Sequence, residues 1–359
     1  MTLAQDLPQT WPQDLRDLIG ILRGAGPEAP ERIARAIDLG STRHRVGPYL
    51  AELMRGQTLP VETQAQLAQE AQAAAFAALA QKAETQRCLD ALGTLRCRPV
   101  LAKGWPLAEQ LFGSAALRHS KDIDLHIGEP DLPQAVAAIT DLGYLALHKA
   151  RLRLAQSGDP RLTAETNDIA FYDLDGHVLE LHWRLTHLRG WIRLDAIPEA
   201  RVSYPLETGG TIDVLSDRAA LIYLSVHGQL HMWGRLKWLV DIAQLLPRKP
   251  DREWCEDLAI AGRLNSGRAV RIAVHLAHIV LGARLPEGWP APSWLERRAV
   301  AHFLHLIASP GGEPGQTKAR LHYHLCVMAY GEGLTQRLAS PRYALLRNLR
   351  IWWAARGAP

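Results

Sequence analysis

Two aspartates, Asp122 and Asp124, alternate with Ile123, Leu125 and Ile127 in the run SKDIDLHI at residues 120–127. Side chains two apart on a strand share a face, so the aspartates and His126 stand together opposite an apolar row. Neighbouring carboxylates repel, and neither Asp nor His favours a strand. A divalent cation accounts for such a face, since Mg²⁺ takes hard oxygen ligands, commonly one or two carboxylates with substrate phosphates. Alone the pattern is weak. An Asp-apolar-Asp triplet arises by chance in roughly one chain in three of this length at average composition, and a solvated edge strand would carry the same residues.

The surroundings strengthen it. In HVLELHWRL, Val178, Glu180 and His182 fall on one face and Leu179, Leu181 and Trp183 on the other. Paired beside the first strand, this segment brings Glu180 to the surface that carries Asp122 and Asp124. Three carboxylates so placed hold two Mg²⁺ ions about 3.5–4 Å apart, a clamp for the attacking and leaving oxygens of phosphoryl chemistry. A one-residue slip would turn Trp183 to the metal and bury Glu180, a costly exchange. An exposed strand glutamate is the competing reading. Upstream, Lys103-Gly104 makes a turn between a short apolar strand, PVLA, and a helix starting near Pro106. A helix start offers backbone N–H groups and the positive dipole end to an anion. Lys103 adds a full charge suited to a triphosphate tail.

The elements that position these residues are legible from composition and punctuation. Residues from about 10 to 96 are rich in Ala, Leu, Gln and Glu and predict helices, with a long one across VETQAQLAQEAQAAAFAALAQKAETQRCLDALGTL. DLPQAVAAITDLG predicts a helix ending at Gly143, and DIAFYDLDGHVLELHW a hairpin turning at Asp175-Gly176. Helix returns from a Ser216 cap in SDRAALIYLSVHGQLHMWGRLKWLVDIAQLL, with Gly228 and Gly234 as points of bending or breakage. Read as one continuous helix, it sets His227, His231, Arg235, Trp238 and Asp241 on a single stripe. A zinc site there is disfavoured, because HGQLH lacks the glutamate of H-E-x-x-H. GARLPEGWPAPSW and SPGGEPGQTK are the clearest loops. The expected class is α+β: a helical N-terminal region (1–96), a small mixed-sheet α/β core (97–212) and a helical C-terminal region (213–359).

The 359 residues are 47% apolar and 22% charged, with a net charge of +4, a composition that supports a sizeable core. The proline-punctuated, acidic start is neither a signal nor a transit peptide, and no apolar run reaches a membrane span. Cys88, Cys97, Cys255 and Cys326 are scattered, against a disulfide framework or zinc knuckle. The expectation is a cytoplasmic protein without a membrane role. Basic residues gather after Glu313 (Lys318, Arg320, Arg337, Arg342, Arg347, Arg350, Arg356), a segment able to attract nucleic acid, an acidic peptide or a phosphorylated ligand, or simply a solvated helical face. Stacking platforms for nucleic acid are not evident. The pairs His275/His278 and His322/His324 read as structural.

LAKGWPLAEQLFGSAALRHSKDIDLHI, followed by LELHW and HGQLHMWGRLKWLVDIAQLL, resembles the uncharacterised nucleotidyltransferase family of the DNA polymerase β-like superfamily, from about Arg32 to Leu246 and including RHRVGPYL. The resemblance implies that Gly104 fills the turn, that Asp122, Asp124 and Glu180 are catalytic metal ligands, and that the cofactor is Mg²⁺ or Mn²⁺. It implies attack of an acceptor hydroxyl on the α-phosphate of an NTP, with ATP the expected one, and release of pyrophosphate. Lys103-Gly104 replaces the superfamily's Gly-Ser, so the serine's phosphate contact must be made otherwise. The same resemblance makes the His231, Arg235 and Asp241 stripe a wall of the nucleotide or acceptor pocket. Arg118 then either touches phosphate or caps its loop. The sequence does not identify the acceptor, for which a peptide, a small molecule and RNA all stand open. Two other readings stand beside an active transferase: a silent nucleotide- or partner-binding module, and a toxin-like enzyme acting on RNA or protein.

Overall fold

A computed structural model describes residues 7–309, apart from 97, 161–162, 164–165, 187–191 and 207–208, and beyond them 324–325, 327–333 and 337. SPGGEPGQTK beyond Ser309, and most of the basic C-terminal segment, lie outside the described residues. The chain forms two compact units, each drawn from separate stretches. One takes the chain up to Phe76 with Ala108–His119 and Leu221–Glu332; the other includes Ala77–Leu107 and Ser120–Ala220.

The elements follow in order as α1 (Gln13–Leu22), α2 (Pro30–Thr42), α3 (Gly47–Leu53), α4 (Val61–Ala91), β1 (Val100–Leu101), α5 (Trp105–Phe112), β2 (Ile123–His126), α6 (Leu132–Asp141), β3 (Leu145–Ala146) and α7 (Lys149–Gln156). Then come β4 (Asp168–Tyr172), β5 (Val178–His182), β6 (Arg201–Pro205), β7 (Thr211–Leu215), α8 (Asp217–Leu230), α9 (Leu236–Leu245), α10 (Asp251–Arg263), α11 (Gly267–Leu281) and α12 (Trp294–Ala308). The architecture is α+β, and no helix among the described residues is long and apolar enough to cross a membrane.

In the helical unit, α1 packs on α2 and α3, and α11 packs against α9, α10 and α12. Long arginines fasten helix ends. Arg23 donates to the carbonyls of Ile279 and Val280 at the end of α11, at 2.6 and 3.1 Å, and Arg43 donates to Ile307 near the end of α12 at 3.1 Å. A cation there satisfies free carbonyls and opposes the negative helix end. Ser293 and Glu296 form the reciprocal cap that starts α12.

The other unit is built on a seven-stranded mixed sheet in the order β3-β4-β5-β2-β1-β7-β6. The hairpin predicted at Asp175-Gly176 is β4–β5, its turn tied by Asp173 Oδ1, which accepts the N–H groups of Asp175 and His177. The sheet is larger than expected. RVSYP and TIDVL add a second hairpin, β6–β7, whose alternation in TIDVL buries Ile212 and Val214. Pro205 is tolerated because β6 is an edge strand. β2 is the central strand, paired parallel with β5 and antiparallel with β1. Ile123, Asp124 and Leu125 of β2 are buried, and this decides the chemistry of Asp124.

Ser216 caps α8 as predicted: its Oγ accepts the Ala219 N–H at 3.3 Å. The continuous helix beyond it does not form. α8 ends at Leu230, and Met232 and Trp233 adopt left-handed conformations with φ of 54° and 51°. Trp233 folds back, fully buried, against Gly228, where a Cβ would collide with its ring. Burying an indole outweighs the strain of two left-handed residues, about 1–2 kcal/mol each.

Candidate active site

The turn between β1 and α5 sets the first wall. Gly104 has φ of 80°, a left-handed conformation that a side chain disfavours, and the nearest neighbour to a Cβ there is Ser120 Oγ at 3.9 Å. Conformation, not space, therefore calls for glycine. Lys103 precedes it. Its Nζ lies 3.1 Å from Asp124 Oδ1.

Parallel pairing of β2 with β5 aligns Ile123 with Leu179, Asp124 with Glu180, Leu125 with Leu181 and His126 with His182. Leu179, Leu181 and Trp183 are buried on the opposite face, as the alternation predicted, so the strand has not slipped. Ligand atoms of Asp124, Glu180 and His182 all lie within 4.8 Å of one another. His182 Nε2 stands 3.2 Å from Asp124 Oδ1 and 3.2 Å from Glu180 Oε2. Asp122 precedes the strand by one residue, is half-buried, and lies outside that group. Ser120 Oγ donates to its carbonyl at 3.4 Å. The tight group is thus two carboxylates and an imidazole. Sequence reasoning put His182 on the correct face but gave it no role; its place two residues beyond Glu180 was the signal.

Electrostatics follow from burial. Asp124 is 1% exposed, and desolvation alone would raise its pKa; the Lys103 ammonium and the His182 imidazole reverse this and hold it well below the usual carboxylate range. Burial would likewise lower the pKa of His182, but hydrogen bonds to Asp124 and Glu180 push it up to about 10. His126, desolvated and facing the charge of His182, is held down at about 3. Lys103 and His182 supply positive charge beside Asp124. Two carboxylate oxygens and an imidazole nitrogen within 4.8 Å are also a fitting donor set for a divalent cation.

The remaining predicted residues lie in the helical unit. Arg118 and Asp241 form a two-pronged pair, Nε to Oδ1 at 2.8 Å and the second nitrogen to Oδ2 at 2.9 Å, both side chains buried. Both were expected at a ligand, and the structure pairs them with each other. His231 and Arg235 fall in the turn between α8 and α9 rather than on one helix. His231 still stacks on Trp238, with ring centroids 4.8 Å apart and planes at 24°, and Arg235 lies over the same indole.

A second group of possible ligands is Glu84, Asp173 and His177. Arg87 holds Glu84 through two nitrogens, Tyr144 donates to Glu84 at 2.6 Å, and His177 meets Asp173 at 2.8 Å. Arg87 is the resident cation of this cluster, which ties α4 to the β4–β5 turn.

A family model described as an uncharacterised nucleotidyltransferase matches residues 31–282. No curated protein and no solved structure gives a significant match.

Proposed function

Because the chain belongs to the uncharacterised nucleotidyltransferase family, we propose that it moves a nucleoside monophosphate from an NTP, with ATP as first candidate, to an acceptor hydroxyl. A bond forms between the acceptor oxygen and the α-phosphorus. The bond from that phosphorus to the bridging oxygen breaks, releasing pyrophosphate, and the hydroxyl proton passes to Glu180 or water. The observation that carries this reading is the alignment of Asp124 with Glu180 on adjacent parallel strands.

Asp122, Asp124 and Glu180 are the proposed catalytic and metal-holding residues. When bound, Mg²⁺ or Mn²⁺ would neutralise triphosphate charge and lower the pKa of the acceptor hydroxyl. Gly104 lets the backbone of a helix start approach phosphate. Lys103 is proposed to exchange its pairing with Asp124 for the triphosphate once that carboxylate is otherwise engaged. His231 and Arg235 are proposed as nucleotide contacts on the strength of their stack with Trp238. Arg118 and Asp241 are proposed to hold their own segments in place. Positioning and fixed charge supply most of the acceleration in such transfers.

The test is incubation with each NTP, labelled in turn at the α- and γ-phosphates, with Mg²⁺ or Mn²⁺ and a cell extract. Label retained from the α-phosphate alone, on a peptide, RNA or small molecule, supports the reading. Retention of the γ-label alone would sink it. The silent-module reading draws on one observation: Asp124 is already paired with two cationic side chains, Lys103 and His182. Calorimetric NTP binding with no label transferred to anything would favour it.

A further inference from the structure

The atoms that converge on β2 and β5 are not all oxygens. His182 Nε2 is directed between Asp124 and Glu180, 3.2 Å from each carboxylate. His182 is 8% exposed, held by β-pairing on both sides of its strand. Asp122, the carboxylate expected to complete the set, is outside the group. The donors already drawn together are therefore two oxygens and one nitrogen, and Asp122 would have to be brought to them to act as a ligand.

We propose that His182 is a metal ligand and that this site selects a first-row transition cation over Mg²⁺, with Mn²⁺ as the probe. The inference rests on the reading of Asp124 and Glu180 as metal carboxylates. Mg²⁺ holds water strongly and favours an all-oxygen shell. Imidazole nitrogen is a softer donor, and transition cations gain from it where Mg²⁺ does not. A buried imidazole fixed by its strand offers that nitrogen with little ordering cost, the cation displacing to solvent the proton that Nε2 shares with the two carboxylates. His182 thus decides which cation is held, while the carboxylates decide that one is held.

Titration of the full-length protein with MnCl₂ and with MgCl₂, each alone, reads the preference by calorimetry. Mn²⁺, the least imidazole-seeking of the first-row series and so the strictest probe, should still bind more tightly than Mg²⁺. His182→Gln places an oxygen near the same position; it should cost Mn²⁺ about tenfold and Mg²⁺ less than about threefold, so the ratio collapses. His177→Gln, in the second cluster, should leave the ratio unchanged. Electron spin-echo measurement on the Mn²⁺-loaded wild type should show coupling to a ¹⁴N nucleus, and this needs no variant to fold. No bound metal, equal affinities, an unchanged ratio in His182→Gln, or no nitrogen coupling would each overturn the proposal. So would loss of that coupling in His177→Gln instead. Nitrogen-bound metal with no nucleotidyl transfer from any NTP would defeat the transfer reading and leave this one. Transfer supported by Mg²⁺ without nitrogen coupling would do the reverse.

Discussion

At the scale of residues, Asp124 and Asp122 separate. Alternation alone makes them equivalent, two repelling carboxylates whose removal should relieve strain. Burial makes them different. Asp124 has lost its water and is compensated by Lys103 and His182, so Asp124→Ala takes a buried anionic partner from both, and leaves His182 with Glu180. Breaking a buried pair costs about 3–5 kcal/mol; chemical denaturation of Asp124→Ala should show a loss near the lower figure, because Lys103 retains some solvent. Asp122→Ala should lose clearly less. Both variants should reduce α-phosphate transfer by about a thousandfold or more if the carboxylates act on the transition state. Equal stability losses would contradict the burial argument, and retained activity the catalytic one. Lys103→Ala should both destabilise the fold and weaken NTP binding measured by calorimetry; unchanged nucleotide affinity would confine Lys103 to its pairing with Asp124.

At the scale of elements, the turn between α8 and α9 depends on one missing side chain. Trp233 occupies the space beside Gly228, and its ring is what interrupts the helical run. Gly228→Ala sets a methyl group against that buried ring and should cost about 1–3 kcal/mol, despite alanine's better helix propensity. A melting temperature equal to or above that of the parent would show that the turn has another cause. Gly104→Ala has room around it, so its cost should be near the 1–2 kcal/mol of a left-handed L-residue.

At the scale of the whole molecule, a buried imidazole ties stability to pH. His44 Nδ1 accepts the Leu236 N–H at 3.2 Å at the start of α9, a bond that a neutral ring alone can make. Burial, with the charges of Arg43 and Arg235, lowers its pKa to about 3. In the unfolded chain it takes a proton near pH 6.5. Below that pH the unfolded state binds the extra proton, so stability falls as pH drops from about 6.5 towards 3, by up to about 1.4 kcal/mol per pH unit. Melting temperatures of the parent should decline over this range more steeply than those of His44→Asn, which keeps an acceptor without the titration. Parallel slopes would remove His44 as the cause.

Local pattern determined a good deal of this protein. Alternation set Glu180 opposite Leu179 and Leu181, Asp175-Gly176 marked the hairpin, and Ser216 marked a helix start, because strand faces, turns and caps are decided by residues within a few positions. The family motif spanning these residues was equally readable. Tertiary structure decided the partners. Asp124 meets Lys103 because β1 pairs beside the central strand, and meets His182 because β5 lies parallel on its other side. Arg118 and Asp241, 123 residues apart, pair because neither charge survives burial alone. The break at Met232 and Trp233 is shared between the two levels: Gly228 and Gly234 marked the stretch as a point of bending or breakage, and the space beside Gly228, once folded, makes burying the indole worth two strained residues.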